Sequence, residues 1–365
     1  MSMETTVQPT KKPRLEWLDA LRGFTMILVV AFHVNQTTFS LDFKTSSSMP
    51  FLVLFRMPLF FFVSGFLAYK ASLVWSFGTF KELLLKKMRV QLIPTVVFFL
   101  LSAVILTNLP FLDYVVERLH SPMKGGYWFT LVLLYMFIIY YVFCYIESKL
   151  KWKSWVPIGL FFLLSLLFYE SCYMPKYFWW ADGYRPAHPT WLDDTSLIQV
   201  MKYMPFFLYG NMVHRYWPQF QKLMDSRWFY PFIVTVVIFC TMDVLKWHTM
   251  RMAWTNLPMT MAKFILLTMV FMYFRHYAQY FTKFTIIGVS LQYIGRRTLD
   301  IYLIHFFFLP NLPTVGTYLN HYHHNFVIDT TLSIIIGLLV IAFCIITSNI
   351  LRVSPFFKKY LFGRS

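Results

Sequence analysis

Arg22 and His33 lie eleven residues apart on a stretch that turns apolar after Gly23. At about 100° per residue, eleven steps make roughly three turns of helix, so both side chains share one face, ~16 Å apart along the axis. That face carries a guanidinium near one membrane surface and an imidazole well inside. A neutral imidazole can take a proton from a hydroxyl and return it to a leaving group. On the residue alone, a packing histidine with one hydrogen bond is the plainer reading. Asp19 stands one turn before Arg22 and can orient it as an i,i+3 pair. Arg22 by itself could equally be an anchor at the inner surface.

A second set of candidates lies further along the chain. Arg56 opens the segment Arg-Met-Pro-Leu-Phe-Phe-Phe-Val-Ser-Gly-Phe, residues 56–66. An arginine at that depth calls for a partner, or for an anionic or polar ligand. Ser64 and Gly65 in the same segment permit close helix approach. His305 is a second apolar-flanked histidine, ~12 Å beyond Arg297 at the helical rise. Asp300, one turn from Arg297, can pair with it. Lys86, Lys87 and Arg89, and then Arg296 and Arg297, form two basic patches. Each could hold the phosphates of a cytoplasmic donor, and each is also what positive-inside bias produces. His321, His323 and His324 lack a carboxylate or cysteine framework, so a solvated loop is expected there and no metal.

The elements that must position these residues are membrane helices. The 365 residues are 58% hydrophobic, 21% aromatic and only 13% charged, far from soluble averages. The expected fold is all-α, a polytopic bundle of about ten transmembrane helices. The spans fall at 18–38, 49–69, 90–108, 128–146, 155–171, 197–213, 229–245, 256–274, 298–319 and 329–350. A polar tail, 1–17, precedes a single transmembrane domain, 18–352, and a basic tail, 353–365, follows it. With the N-terminus inside, the large majority of the 33 Lys and Arg fall in inner segments, which places both termini in the cytoplasm. That distribution directs the net charge of +17 to membrane orientation and not to nucleic acid. Residues 286–295 are apolar but too short to span, and read as an interfacial helix leading into the ninth span. The loop 171–196 is an aromatic interface belt or the lip of a carbohydrate site, with Trp179, Trp180 and Trp191 suited to either. Cys144, Cys172, Cys240 and Cys344 lie in different segments, and no structural disulfide is expected.

Four segments carry a family resemblance. Leu18-Asp19-Ala20-Leu21-Arg22-Gly23 followed by His33, the Arg56–Phe66 segment, Gly126-Tyr127-Trp128-Phe129, and residues 294–305 together resemble the acyltransferase-3 family of integral-membrane acyltransferases. They occur in order and span most of the chain. The resemblance implies transfer of an acyl group, most often acetyl, from acyl-CoA to a hydroxyl of an envelope glycan, glycolipid or similar acceptor. It implies His33 as the catalytic residue with Arg22 as its companion, and Arg56, Trp128 and His305 lining the site, with Ser64 nearby. Lys86 and Arg89 stand where the family often has a more Arg-rich loop, and together with Arg22, Arg296 and Arg297 they are the residues expected to hold the donor's phosphates. A cell (inner, cytoplasmic) membrane location follows.

The acyl-pantetheine arm would thread past Arg22 toward His33. His33 would then activate the acceptor hydroxyl or briefly carry the acyl group itself. A flippase for a lipid-linked glycan also needs buried cations and a polar cavity, but the chain lacks the matching broken helices of inverted-repeat transporters. A sensor that binds acyl-CoA without turnover is the third class.

Overall fold

The computed structural model describes residues 15–172, 191–246, 256–322 and 325–362, and these are helices and connecting turns without a strand. The helices are α1 (Glu16–His33), α2 (Met49–Ala68), α3 (Phe77–Lys87), α4 (Ile93–Ile105), α5 (Phe111–His120), α6 (Trp128–Glu147), α7 (Trp155–Ser171), α8 (Trp191–Asp194) and α9 (Leu197–Arg215). They continue as α10 (Trp217–Met224), α11 (Phe229–Lys246), α12 (Asn256–His276), α13 (Ile286–Arg296), α14 (Thr298–Ile304), α15 (Pro313–Tyr322), α16 (Phe326–Leu351) and α17 (Pro355–Tyr360). Local chemistry sets several starts. The side chains of Ser76, Thr285 and Asn325 accept from backbone N–H groups in the first turns of α3, α13 and α16, which satisfies donors the helix itself leaves open.

Five stretches are long and apolar enough to cross a membrane: Glu16–Thr38, Met49–Ala68, Phe77–Ile105, Trp128–Glu147 and Phe326–Leu351. Helices also stand at the fifth to eighth expected positions, as α7, α9, α11 and α12. The ninth expected span, 298–319, is not one helix. Chain direction breaks between Phe307 and Pro313, where Pro310 and Pro313 interrupt backbone donation. The segment 286–295, expected as an interfacial helix leading into the ninth span, is helical as α13 and leads through a bend at Arg297 into α14 and a 3-10 turn ending at Phe307.

The core sits around α1, where Ala20, Leu21, Met26, Val30 and Ala31 have no exposed surface. Apolar side chains such as Leu167, Val104, Leu339 and Ile350 point outward from the bundle, as they do where the surrounding solvent is hydrocarbon. Cys144, Cys172 and Cys344 are buried free thiols; the side chain of Cys240 lies outside the described set.

Two glycine-mediated crossings fix the central helices. A Cβ on Gly23 would stand 2.0 Å from the carbonyl oxygen of Leu291, and one on Gly295 would stand 1.9 Å from that of Asp19. The backbones of α1 and α13 therefore touch, which only glycine permits. Gly65 and Gly210 make the same reciprocal contact between α2 and α9, against the carbonyls of Phe207 and Phe62. Both pairs run parallel. In the first, Gly23 meets Gly295 while ten residues further on His33 meets His305. In the second, Phe61 packs on Tyr203 and Phe66 on His214.

Candidate active site

The four central helices present one face each to a pair of cavities at opposite ends of the bundle. Position along each helix decides which cavity a side chain enters. On α2, Arg56 lines the first cavity, Ser64 lines the second, and Phe60 between them lines both. On α1, His33 lines the first and Arg22 the second. On α14 and its extension, Phe306 lines the first, Thr298 the second, and Tyr302 both. On α6, Trp128 lines the first, Thr130 the second, and Phe129 both. The first cavity has a volume of about 490 Å³ and the second about 390 Å³.

His33 stands at the last turn of α1, where the helix widens into a π-helical turn, Val34–Thr38. Such turns recur at functional sites because they re-aim side chains. The His33 and His305 rings are 5.2 Å apart, and Phe306 lies 5.0 Å from His33. His305 is fully buried. Its Nδ1 donates to the backbone carbonyls of Tyr302 (2.8 Å) and Ile301 (3.1 Å). That bond fixes the tautomer: Nδ1 carries the proton and Nε2 holds a lone pair. Nε2 has no hydrogen-bond partner among the described residues. Arg56 is 8% exposed, its guanidinium lies 3.5 Å above the Phe32 ring, and its Nε has no hydrogen-bond partner among the described residues. A cation held over a ring face and left with an open donor is ready for an oxygen that gains charge.

The wall of this cavity includes Trp128, whose ring stacks on Tyr203 at 5.5 Å. Its floor is a tight loop. Lys124, Gly125 and Gly126 have φ of 45°, 61° and 98°, a left-handed run that glycine tolerates best. Lys124 holds the loop by donating to the carbonyls of Leu119 and Asp194. The Tyr302 hydroxyl donates to the Gly126 carbonyl at 2.6 Å.

The second cavity is cationic. Arg22, Lys70, Lys86 and Lys87 line it, joined by Gln91 and Thr298. Arg22 donates to the Thr298 hydroxyl at 2.9 Å and lies 3.6 Å from Asp19, so Asp19 lies outside the cavity and orients Arg22. Lys87 Nζ lies 3.5 Å from the Phe137 ring centre.

Other residues singled out in the sequence lie elsewhere. Arg89 and Arg296 are exposed and line neither cavity. Arg296 donates to Gln292 Oε1 at 3.0 Å. Arg297 turns to Asp300, Ser348 and Asn349. Asp300 is buried and also accepts two hydrogen bonds from Arg352, at 2.6 and 2.8 Å. This cluster ties α14 to the end of α16 and leaves Arg297 no access to the cavity. His321 is exposed and Trp191 is exposed, while His323, His324, Trp179 and Trp180 lie outside the described residues.

Sequence reading alone missed Lys70, Tyr203, Phe60, Phe129 and Tyr302. Lys70 follows the end of α2 on the Arg22 side, a signal visible in the sequence. Phe60, Phe129 and Tyr302 fall inside the segments 56–66, 126–129 and 294–305, but nothing in a chain with 41 Phe and 23 Tyr singles them out there, and Tyr203 has no signal at all. A family model described as an acyltransferase domain, Acyl_transf_3, matches residues 15–349. No curated protein and no solved structure matches the chain.

Proposed function

The chain belongs to the acyltransferase-3 family, and on that premise we propose that it moves an acyl group, acetyl in the first instance, from acyl-CoA to a hydroxyl of an envelope glycan or glycolipid across the bundle. The observation that carries this reading is the placement of two cavities end to end, cations in one and His33 with Arg56 in the other. The cationic cavity suits the phosphates of a donor arriving from the cytoplasm, with Arg22, Lys70, Lys86 and Lys87 as their partners. The pantetheine arm then runs along α1, over the ~16 Å from Arg22 to His33.

His33 takes the proton of the acceptor hydroxyl as its oxygen attacks the thioester carbonyl. Arg56 stabilises the negative charge that forms on that carbonyl oxygen. Collapse of the tetrahedral intermediate breaks the C–S bond, and His33 returns the proton to the leaving thiolate. The products are an ester and free coenzyme A. His305, with its open Nε2 lone pair beside His33, would accept from the His33 ring as the two close up, leaving the other His33 nitrogen to act. Trp128 and Tyr203 offer a flat aromatic wall to the sugar. The bundle in this reading sits in the cytoplasmic membrane with the Arg22 end inside.

The test is transfer of label from radiolabelled acetyl-CoA by purified protein, wild type beside His33→Ala. Label passing to water or to a crude envelope extract, and lost in a variant that elutes and melts as wild type does, supports the reading. A folded His33→Ala protein with full transfer activity refutes the assignment of His33. Failure of wild type to bind or turn over acetyl-CoA refutes the donor.

A further inference from the structure

Phe60, Phe129 and Tyr302 each line both cavities, so these three rings form a wall the two cavities share. Two of the three are held firmly. Tyr302 is 6% exposed, and its hydroxyl donates to the Gly126 carbonyl and accepts from the Phe129 backbone N–H at 3.1 Å. Phe129 is also 6% exposed and packs against Phe61 and Tyr302, with ring centres 5.0 and 5.4 Å away. Both rings would have to break hydrogen bonds or displace packed neighbours to move.

Phe60 is different. It is only partly buried, and its ring contact among the described residues is an edge-on approach to Phe129 at 4.8 Å. It stands one helical turn from Arg56 and one turn from Ser64, with a cavity on either side into which the ring can rotate. A single staggered rotamer change is enough to move a side chain by its own length.

We propose that Phe60 is the moving leaf of an aromatic gate, with Phe129 and Tyr302 as its fixed frame, that admits a short acyl thioester from the cationic cavity to His33 and shuts water out behind it. This rests on the donor reading above. The heights agree with it. Tyr302 precedes His305 by three residues, ~4.5 Å along the axis, and His305 is level with His33. When the thioester carbonyl meets His33, its sulfur therefore lies in the plane of the gate, and only the acyl group stands beyond. That group shares the 490 Å³ cavity with the acceptor, so each added methylene competes with the acceptor for space. Phe60 is then a specificity-determining residue. It selects for short chains and keeps the thioester from reacting as acyl-CoA + H₂O → carboxylic acid + CoA.

The experiment uses the full-length purified protein with acetyl-CoA and butyryl-CoA as donors. Thiol release without acceptor measures hydrolysis, and label passing to a crude envelope extract measures transfer. In Phe60→Ala the gate stands open, and the ratio of hydrolysis to transfer is expected to rise about tenfold, with butyryl-CoA gaining on acetyl-CoA. Phe60→Trp keeps the packing and narrows the gate. It is expected to lose butyryl transfer while acetyl transfer persists, and it carries the test should the alanine variant not fold. Wild-type turnover with both variants matching wild type in ratio and chain preference overturns the gate and leaves the donor reading standing. No binding or turnover of either thioester by wild type overturns both.

Discussion

Replacing Gly295 with alanine tests whether a backbone contact far from the chemistry sets the distance between the two histidines. A Cβ at this position would stand 1.9 Å from the Asp19 carbonyl oxygen, and ordinary contact begins at 3.4 Å, so α13 must retreat from α1 by about 1.5 Å. The obstructing atoms are backbone on both sides, and no rotamer can relieve them. α14 follows α13 through a single bend, so Tyr302 and His305 move with it while His33 stays on α1. A misplacement of ~1 Å in a catalytic constellation costs on the order of 100-fold in rate, or ~2.7 kcal/mol of barrier. The expected result for Gly295→Ala is therefore a loss of about 100-fold in turnover of acetyl-CoA per folded enzyme, with a lower melting temperature. The assay is label release by protein taken from the main size-exclusion peak, with melting followed in the same detergent. Gly159→Ala is the control. A Cβ there meets nothing within 4 Å, and alanine in place of a helical glycine is expected to be neutral or to stabilise by up to ~1 kcal/mol. Gly295→Ala with turnover within a factor of about three of wild type and unchanged melting would refute the reasoning.

Two further outcomes follow from the same structure. Asp300→Asn leaves Arg352 and Arg297 facing a neutral amide in a buried cluster, a loss of about 3–5 kcal/mol that should appear as a clear drop in melting temperature; an unchanged melt would mean the cluster does not hold α14 to α16. Lys86→Gln and Lys87→Gln each remove a cation from the cationic cavity proposed to hold the donor. Each should raise KM for acetyl-CoA about threefold with kcat little changed, and the difference from wild type should shrink as salt is added. A KM that matches wild type at low salt would place the phosphates elsewhere.

The polar half of the site was legible in the sequence, and the apolar half was not. Arg22, His33, Arg56 and His305 are conspicuous because ionisable groups inside long apolar runs are costly, and all four are found at the two cavities or, for His305, against His33. Arg89, Arg296 and Arg297 show the limit of that signal: a cation near a surface has no readable direction, and here Arg297 is turned away by Asp300. The ninth expected span, 298–319, is not one helix because Pro310 and Pro313 stop it, which apolar length alone does not weigh. The spacing held a clue. Gly23 precedes His33 by the same ten residues that separate Gly295 from His305, and a parallel crossing at the glycines brings the histidines level. Phe60, Phe129 and Tyr302 become a wall only when three helices are set in register, which no single segment encodes.

That wall has an electrical consequence. In the proposed orientation, water in the cavities on either side of the three rings would concentrate a transmembrane voltage across them rather than across the full hydrocarbon thickness. A unit charge carried through the whole drop exchanges ~2.3 kcal/mol with a field of 100 mV. On the proposed donor reading, phosphates held in the cationic cavity would lie outside this steep region, and a neutral thioester would cross it without work. On that reading the rings would keep ions from following while an anionic carrier passes its uncharged cargo between them.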